Sequence, residues 1–291
     1  MKNLQLLKKT LLFGFFFITG WPAMAQSTSV KPIRIDLWQN GLPNSNGREV
    51  QGYDDAERNY KPCIAVYLPE KTKMPTKAVV VCPGGGYGVL CDDYEGFEWV
   101  DFFLTQEVAA VILKYRLPYG HPEVPQSDVY ETIRLIREHA EEWNVDPHAI
   151  GVMGFSAGGH LASTVATHAR ADVLPDFQIL MYPVISSDAK LAHAGSFENL
   201  LGKRASKEQL EYYSNDLQVK DNTPRAFIAL SDDDSLVNPL NSTYYYHALK
   251  KHRIPAALHI YSEGEHGWGM HEHFRYHLQM LSDLGAWLRS F

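Results

Sequence analysis

Short hydrophobic runs alternate with amphipathic stretches along the chain from about residue 64 to its end. The runs are continuous and rich in valine, isoleucine and alanine, which is typical of strands buried on both faces of a sheet. They predict strands at 64–68, 78–82, 109–113, 150–153, 178–181, 226–230 and 257–261. The amphipathic stretches predict helices at about 96–105, 128–143, 160–168, 241–252 and 274–288.

This alternation of strands and helices predicts the fold class. It favours a single α/β domain built on a doubly wound, mostly parallel sheet. Ligands of such sheets bind beyond the carboxyl ends of the strands, so we expect the chemistry of the protein at that edge. The segment at about 188–222 is more polar and predicts short helices that lie over the site.

The first 25 residues have a different character from the rest of the chain. Three lysines precede the apolar run at 11–18, and Ala23-Met24-Ala25 matches the small-residue pattern of a cleavage site. The apolar run is shorter than the roughly 20 residues that span a bilayer. We therefore expect residues 1–25 to be a signal peptide and residues 26–291 to be the catalytic domain. The mature protein is then exported, periplasmic or secreted, without stable membrane association.

The charge of the chain limits its partners. The formal net charge of −7 becomes −10 when the three lysines of residues 1–25 are removed. An acidic chain is a poor match for nucleic acid or for anionic lipid, because both repel it. We expect a neutral or cationic ligand and no nucleic acid, and the sequence does not predict the oligomeric state.

The cysteines are few and do not suggest a metal site. Their number, three (Cys63, Cys82 and Cys91), is odd, which excludes a fully paired disulfide framework. Pairing of Cys82 with Cys91 remains open. Cysteine and histidine are not spaced as in zinc sites, so we expect neither a metal nor an organic cofactor.

The most specific motif is the G-x-S-x-G box at Gly154–Gly158. An apolar, strand-like run precedes it and a helix-like run follows it. This order of strand, sharp turn and helix is required for a nucleophile elbow, in which the serine hydroxyl is exposed at the top of a sheet. Ser156 is therefore the candidate nucleophile.

A serine nucleophile needs a base to accept its proton, and the base is expected late in the chain. His266 follows the last predicted strand and is surrounded by Gly264, Gly267 and Gly269, which indicates a loop. The chain contains 13 histidines, so other candidates exist. They are His271, His273 and His277, whereas His160 on the predicted serine helix is interpreted as a packing residue.

The acid that orients the base is expected between the serine and the histidine. Three aspartates, Asp232, Asp233 and Asp234, follow the strand at 226–230. Asp234 is favoured because it begins the run Asp-Ser-Leu-Val, with Asp233 as the next candidate and Asp232 as the last. The other two aspartates are interpreted as solvated loop residues.

Three glycines after the second predicted strand form a candidate oxyanion hole. The loop Pro83-Gly84-Gly85-Gly86 leaves its backbone N–H groups accessible, because glycine allows close approach of a substrate. We expect the N–H groups of Gly85, Gly86 and Ala157 to be the donors. Tyr87 and Trp268 flank this predicted site and either stack on a sugar ring or pack in the core.

Five motifs together carry a resemblance to a known family. They are Val81–Tyr87, Leu113–Pro118, Gly154–Ala162, Asp234–Pro239 and Glu265–Gly269. The set resembles the esterase/lipase branch of the α/β-hydrolases, and within it the acetyl xylan esterase-like carbohydrate esterases associated with hemicellulose. The resemblance extends from about residue 60 to the C-terminus. Two residues depart from the family pattern: Pro83 stands where a histidine is usual, and Asn238 separates Val237 from Pro239.

The resemblance implies an exported serine esterase that deacetylates xylan or other hemicellulose-derived saccharides with a Ser-His-Asp triad. Four alternatives remain open. They are a feruloyl or other small-molecule esterase, a lipase, a prolyl-peptidase-like serine peptidase and a non-catalytic hydrolase-like binding module.

Overall fold

The computed structural model describes residues 30–291. The predicted signal peptide at residues 1–25 and its cleavage site lie outside the described residues, so the boundary at Gln26 stays a prediction.

One eight-stranded sheet runs through the described chain. Its strands are β1 (Ile33–Asp36), β2 (Cys63–Tyr67), β3 (Thr76–Cys82), β4 (Val108–Lys114), β5 (Val145–Phe155), β6 (Phe177–Met181), β7 (Arg225–Ser231) and β8 (Ala256–Tyr261). They lie in the order β1-β2-β4-β3-β5-β6-β7-β8. Strand β2 is antiparallel to β1 and β4, and the remaining neighbours are parallel. The predicted α/β fold with a mostly parallel sheet is confirmed.

The α-helices of the described residues connect these strands. They are α1 (Val100–Thr105), α2 (Glu123–Glu138), α3 (Ala140–Trp143), α4 (Ser156–His168), α5 (Ala194–Leu201), α6 (Lys207–Tyr212), α7 (Leu240–Lys251) and α8 (His277–Leu288). Helices α5 and α6 lie in the segment for which the sequence predicts short helices. No helix among residues 30–291 is both long enough and apolar enough to cross a membrane.

Three elements differ from the hydrophobic pattern, each for a local reason. Strand β1 is not predicted because its sequence Ile-Arg-Ile-Asp is short and mostly exposed at the sheet edge. Strand β5 begins five residues before the predicted run, since its first half contains polar residues and Pro147. Helix α2 begins at Glu123, directly after Pro122 and before the predicted start at about 128. It ends at Glu138, and the last residues of the predicted helix form the separate short helix α3.

Alternate residues of β3 pack into two different hydrophobic clusters. Val80 belongs to the cluster on one face of the sheet, whereas Val79 and Val81 belong to the cluster on the other, and all three are fully buried. A strand that is covered on both faces has a continuous rather than an alternating apolar pattern. This burial explains why the central strands are recognisable in the sequence.

All three cysteines are free thiols. Cys82 lies on β3 in the core, where burial raises the pKa of its thiol far above the ordinary range. Burial also raises the pKa of Cys91 to about 11. The disulfide between Cys82 and Cys91 that the sequence left open is therefore not formed in this structure.

A buried ion pair joins the segment after β4 to helix α2 and also binds the segment before β2. Nη2 of Arg116 lies 2.7 Å from Oδ1 of Asp128, and both side chains are almost completely buried. The indole N–H of Trp38 donates to the same carboxylate at 2.7 Å. Arg116 also donates to the carbonyl oxygen of Asn44 at 2.9 Å. The pair thus fixes the N-terminal segment of the described chain against the core.

We expect Asp128→Ala to lower the free energy of unfolding by about 3 kcal/mol, because it leaves the buried Arg116 guanidinium with the longer carboxylate contact to Glu49 at 3.3 Å. Urea unfolding monitored by circular dichroism measures the loss. The matched control is Glu138→Ala, which breaks an exposed pair with Arg134 on the same helix and should cost less than about 1 kcal/mol. Equal losses in the two variants would contradict the importance of the buried pair.

Candidate active site

Ser156 lies in a sharp turn between β5 and α4. Its backbone φ is 50°, in the left-handed region that non-glycine residues rarely adopt. A Cβ at Gly154 would lie 2.0 Å from the carbonyl oxygen of Gly158, and a Cβ at Gly158 would lie 2.1 Å from that of Cys82. Both positions therefore exclude any side chain. Gly154 is required because the turn folds back on the first residues of α4, and Gly158 is required because α4 touches the end of β3 and the loop that follows it.

Ser156, His266 and Asp234 form a continuous chain of hydrogen bonds. Nε2 of His266 lies 2.9 Å from Oγ of Ser156, and Nδ1 of His266 lies 2.6 Å from Oδ2 of Asp234. In the neutral imidazole, the ionised carboxylate requires the hydrogen on Nδ1, which donates to Asp234, and Nε2 then accepts from the serine hydroxyl. The structure thus brings together the three residues that the sequence predicts as nucleophile, base and acid.

Asp234 is the aspartate of the acidic run that the fold directs inwards. Its side chain is 1% exposed, and Oδ1 accepts hydrogen bonds from the N–H groups of Leu236 and Val237 at 3.0 and 2.8 Å. Asp233 is exposed and instead accepts from the N–H groups of Gly264 and Glu265, at 3.2 and 2.8 Å. It therefore holds the histidine loop, while the side chain of Asp232 is exposed to solvent.

The other candidate histidines lie outside this chain of hydrogen bonds. His271 stacks on Tyr94 and on His273, with ring centroids 4.5 and 5.0 Å apart, and His277 begins α8. His160 is buried, as expected for a packing residue. Its Nδ1 accepts from the hydroxyl of Tyr87 at 2.9 Å, and its Nε2–H donates to the carbonyl of Tyr213 at 2.8 Å. Burial lowers the pKa of His160 to about 4, so the ring stays neutral.

The loop after β3 presents free backbone donors next to Ser156. The N–H groups of Gly85 and Gly86 make no hydrogen bond within residues 30–291, whereas that of Gly84 donates to Glu95 at 2.8 Å. The N–H of Ala157 lies in the first turn of α4, where helical N–H groups have no intrahelical partner. A Cβ at Gly84 would lie 3.2 Å from Cβ of Ser156, so this loop borders the serine directly. The three predicted donors thus lie at the carboxyl edge of the sheet, in the loop and the turn that border Ser156.

This loop is supported from beneath by polar contacts. The carbonyl oxygen of Pro83 accepts from the hydroxyl of Tyr115 at 2.7 Å, and that of Gly86 accepts from Nδ2 of Asn199 on α5 at 2.9 Å. The support that a histidine at position 83 could give is therefore provided by other residues. Asn238, the second departure from the family pattern, accepts from the N–H of Leu240 at the start of α7.

The stacking role considered for Tyr87 and Trp268 needs correction. Each side chain is only 2% exposed. Tyr87 is held by His160, and the indole N–H of Trp268 donates to Oγ of Ser231 at 3.0 Å while its ring stacks on Phe274 at 4.3 Å. Neither ring is accessible to a sugar, because both residues are buried in the core.

Three polar residues near the site are not found by sequence reasoning. Glu95 and Tyr182 are buried beneath the oxyanion loop and next to His266. His193 lies before α5, where burial lowers the pKa of its imidazole, and its Nδ1 is 2.8 Å from Oγ of Ser196. None of them belongs to a motif, so the sequence gives no local signal for them.

Within residues 30–291, no group of three or more histidine, cysteine, aspartate or glutamate side chains is arranged to hold a metal ion. The expectation that the protein needs neither a metal nor an organic cofactor is not tested by this arrangement and stays a prediction.

Comparison with known proteins agrees with the geometry of the site. The BD-FAE family matches residues 64–191, which include the oxyanion loop and the serine elbow. The chain is 34% identical to the acetyl ester-xyloside bifunctional hydrolase of Caldicellulosiruptor lactoaceticus, with a TM-score of 0.78 over 90% of this chain and 97% of that one. The chain belongs to the acetyl xylan esterase-like α/β-hydrolases.

Two curated relatives of this family are larger proteins. The chain is 40% identical to an acetylxylan esterase of Xylanibacter ruminicola over 79% of its own length and 48% of the relative's. It is 32% identical to endo-1,4-beta-xylanase B of Butyrivibrio fibrisolvens over 82% of its own length and 38% of the relative's. The chain thus spans less than half the length of these two relatives.

We expect the short contact between His266 and Asp234 to give a strongly downfield imidazole N–H resonance in the proton NMR spectrum. Charge-assisted hydrogen bonds of this length deshield the shared proton. The resonance should disappear in Asp234→Ala and persist in the control Asp233→Ala. Its persistence in Asp234→Ala would show that another group holds the imidazole.

Proposed function

We propose that the protein is an exported serine carboxylic ester hydrolase that removes acetyl groups from xylan or other hemicellulose-derived saccharides. The observation that carries the proposal is the alignment of Ser156, His266 and Asp234 beside the free N–H groups of the glycine loop. A non-catalytic binding module would need neither the aligned hydrogen bonds nor the free donors.

The first half of the proposed reaction forms an acyl-enzyme. Oγ of Ser156 attacks the ester carbonyl while Nε2 of His266 accepts the hydroxyl proton. Asp234 holds the imidazole in the tautomer with hydrogen on Nδ1 and stabilises the imidazolium that forms. The alcohol then leaves with the proton from Nε2. In the second half, His266 removes a proton from water and the resulting hydroxide attacks the acyl carbonyl. The bond between Oγ and the acyl carbon then breaks, Nε2 returns its proton to Oγ of Ser156, and acetic acid leaves and ionises in solution.

Negative charge develops on the carbonyl oxygen in both halves of the reaction. We assign its stabilisation to the N–H groups of Gly85, Gly86 and Ala157, because donors that are fixed before the reaction need no reorganisation. Helix α4 begins at Ser156, so the positive end of its dipole lies next to the carbonyl oxygen under attack and adds to the stabilisation.

The saccharide part of the proposal rests on relatives rather than on a described sugar subsite. The names of the similar proteins include acetylxylan esterase and acetyl ester-xyloside hydrolase. The acidic surface of the chain also favours neutral substrates such as acetylated xylo-oligosaccharides over anionic polymers. Assays with feruloyl esters and other small-molecule esters distinguish these alternative substrates from acetylated saccharides.

We expect the mature protein to release acetate from acetylated xylo-oligosaccharides, and Ser156→Ala to reduce kcat by about a million-fold, as for other serine triads. Acetate is measured by a coupled enzyme assay or by NMR. Ser163→Ala, a buried serine on the same helix, is the matched control and should retain activity. Cleavage of p-nitrophenyl acetate without acetate release from the oligosaccharides would support esterase activity and exclude xylan as the substrate.

Export is the remaining part of the proposal. It is supported by the charged, apolar and small-residue regions at residues 1–25. We expect the full-length chain, expressed in a bacterium, to be recovered outside the cytoplasm with Gln26 as its first residue, as measured by mass spectrometry. Recovery of the uncleaved chain from the cytoplasm would contradict export.

A further inference from the structure

Glu95 is a buried carboxyl group that the proposed reaction does not use. Its side chain is 2% exposed, and both oxygens have defined partners. Oε2 accepts from the N–H of Gly84 at 2.8 Å, and Oε1 accepts from the hydroxyl of Tyr182 at 2.8 Å. The same hydroxyl accepts from the N–H of Gly269 at 2.9 Å. One carboxyl group therefore contacts the oxyanion loop directly and the histidine loop through one tyrosine.

The tyrosine in this network also contacts the candidate base. The ring of Tyr182 meets that of His266 edge-on, with centroids 4.8 Å apart. Its backbone φ of 37° lies in the left-handed region, which is strained for a residue with a large side chain. Strain at a buried non-glycine residue persists only where the surroundings hold it in place. Tyr182 is thus fixed between Glu95 and the imidazole.

A carboxyl group in this position is costly for the fold. Burial raises the pKa of Glu95 to about 7, although the hydrogen bonds from Tyr182 and Gly84 and the nearby His266 lower it. Buried charged groups are weak contributors to stability and are often replaced by neutral residues without loss. The ionisable groups that face Glu95 are Cys91, Asp93, Tyr94, Tyr115, Tyr182 and His266.

We propose that Glu95 is a positioning residue for ester hydrolysis, which sets the oxyanion loop and His266 relative to each other through Gly84 and Tyr182. This inference rests on the proposed function. The ionised carboxylate accepts both hydrogen bonds, so the N–H groups of Gly85 and Gly86 stay directed at the developing oxyanion. Its charge also favours the imidazolium that forms when His266 accepts the serine proton.

The test compares Glu95→Gln with wild type and with the control Glu98→Gln, an exposed carboxylate three residues away. Active sites are counted by the burst of p-nitrophenol from p-nitrophenyl acetate, and kcat is expressed per active site. We expect Glu95→Gln to lower kcat about ten- to a hundred-fold, less than the loss of an oxyanion donor itself, with KM changed less than threefold. Glu98→Gln should match wild type.

Two further readouts separate positioning from a purely structural role. First, the acid side of the kcat/KM profile of wild type should contain one ionisation more than that of Glu95→Gln, near pH 7, because protonation of Glu95 removes one acceptor. Second, the raised pKa means that any stability from Glu95 is lost as pH rises through about 7. At pH 8, the unfolding temperature of Glu95→Gln should therefore be no lower than that of wild type, although its kcat is lower.

The outcomes are distinct. A burst from wild type with an unchanged kcat per active site in Glu95→Gln overturns this inference and leaves the proposed function intact. A loss explained wholly by fewer active sites or by a lower unfolding temperature also overturns it. Absence of any hydrolysis of p-nitrophenyl acetate by wild type removes the proposed function and this inference with it. If Glu95→Gln does not fold, Tyr182→Phe, which deletes only the hydroxyl, must reproduce the kcat and KM pattern.

Discussion

The close contact between the β5–α4 turn and the loop after β3 is the constraint on which the rest of the site depends. A side chain at Gly158 would overlap the carbonyl oxygens of Cys82 and Pro83, and one at Gly84 would overlap that of Phe155. Because these glycines allow the two segments to touch, the serine hydroxyl and the free N–H groups lie side by side. The parallel strands then deliver the aspartate and histidine loops to the same edge of the sheet.

The carboxylates around the site form hydrogen bonds with backbone groups of the loops that they hold. Asp234 is fixed by two backbone N–H groups, Asp233 holds the histidine loop, and Glu95 lies beneath the oxyanion loop. Such preorganisation is what electrostatic catalysis requires, since groups that must reorient during the reaction contribute little. Three carboxylates close in space thus have three different tasks, which their burial and partners determine.

The sequence predicts the parts of this arrangement that depend on local order along the chain. The central strands are visible because they are buried on both faces, and Ser156 is visible because its turn needs glycine at fixed spacing. Glu95 and Tyr182 are 87 positions apart, and their contact arises only when β3 and β6 are assembled in one sheet. The burial of Trp268 also depends on tertiary packing, which a flanking position in the sequence does not reveal.

The central claim is that Ser156 becomes acylated because His266 accepts its proton. The most direct measurement is mass spectrometry of the protein mixed with p-nitrophenyl acetate and quenched in acid during the burst. We predict one acetyl group, on the peptide that contains Ser156, and none on that peptide within the same time in His266→Ala. Acetylation at another residue, or equal labelling of Ser156 without His266, would contradict this account of the site.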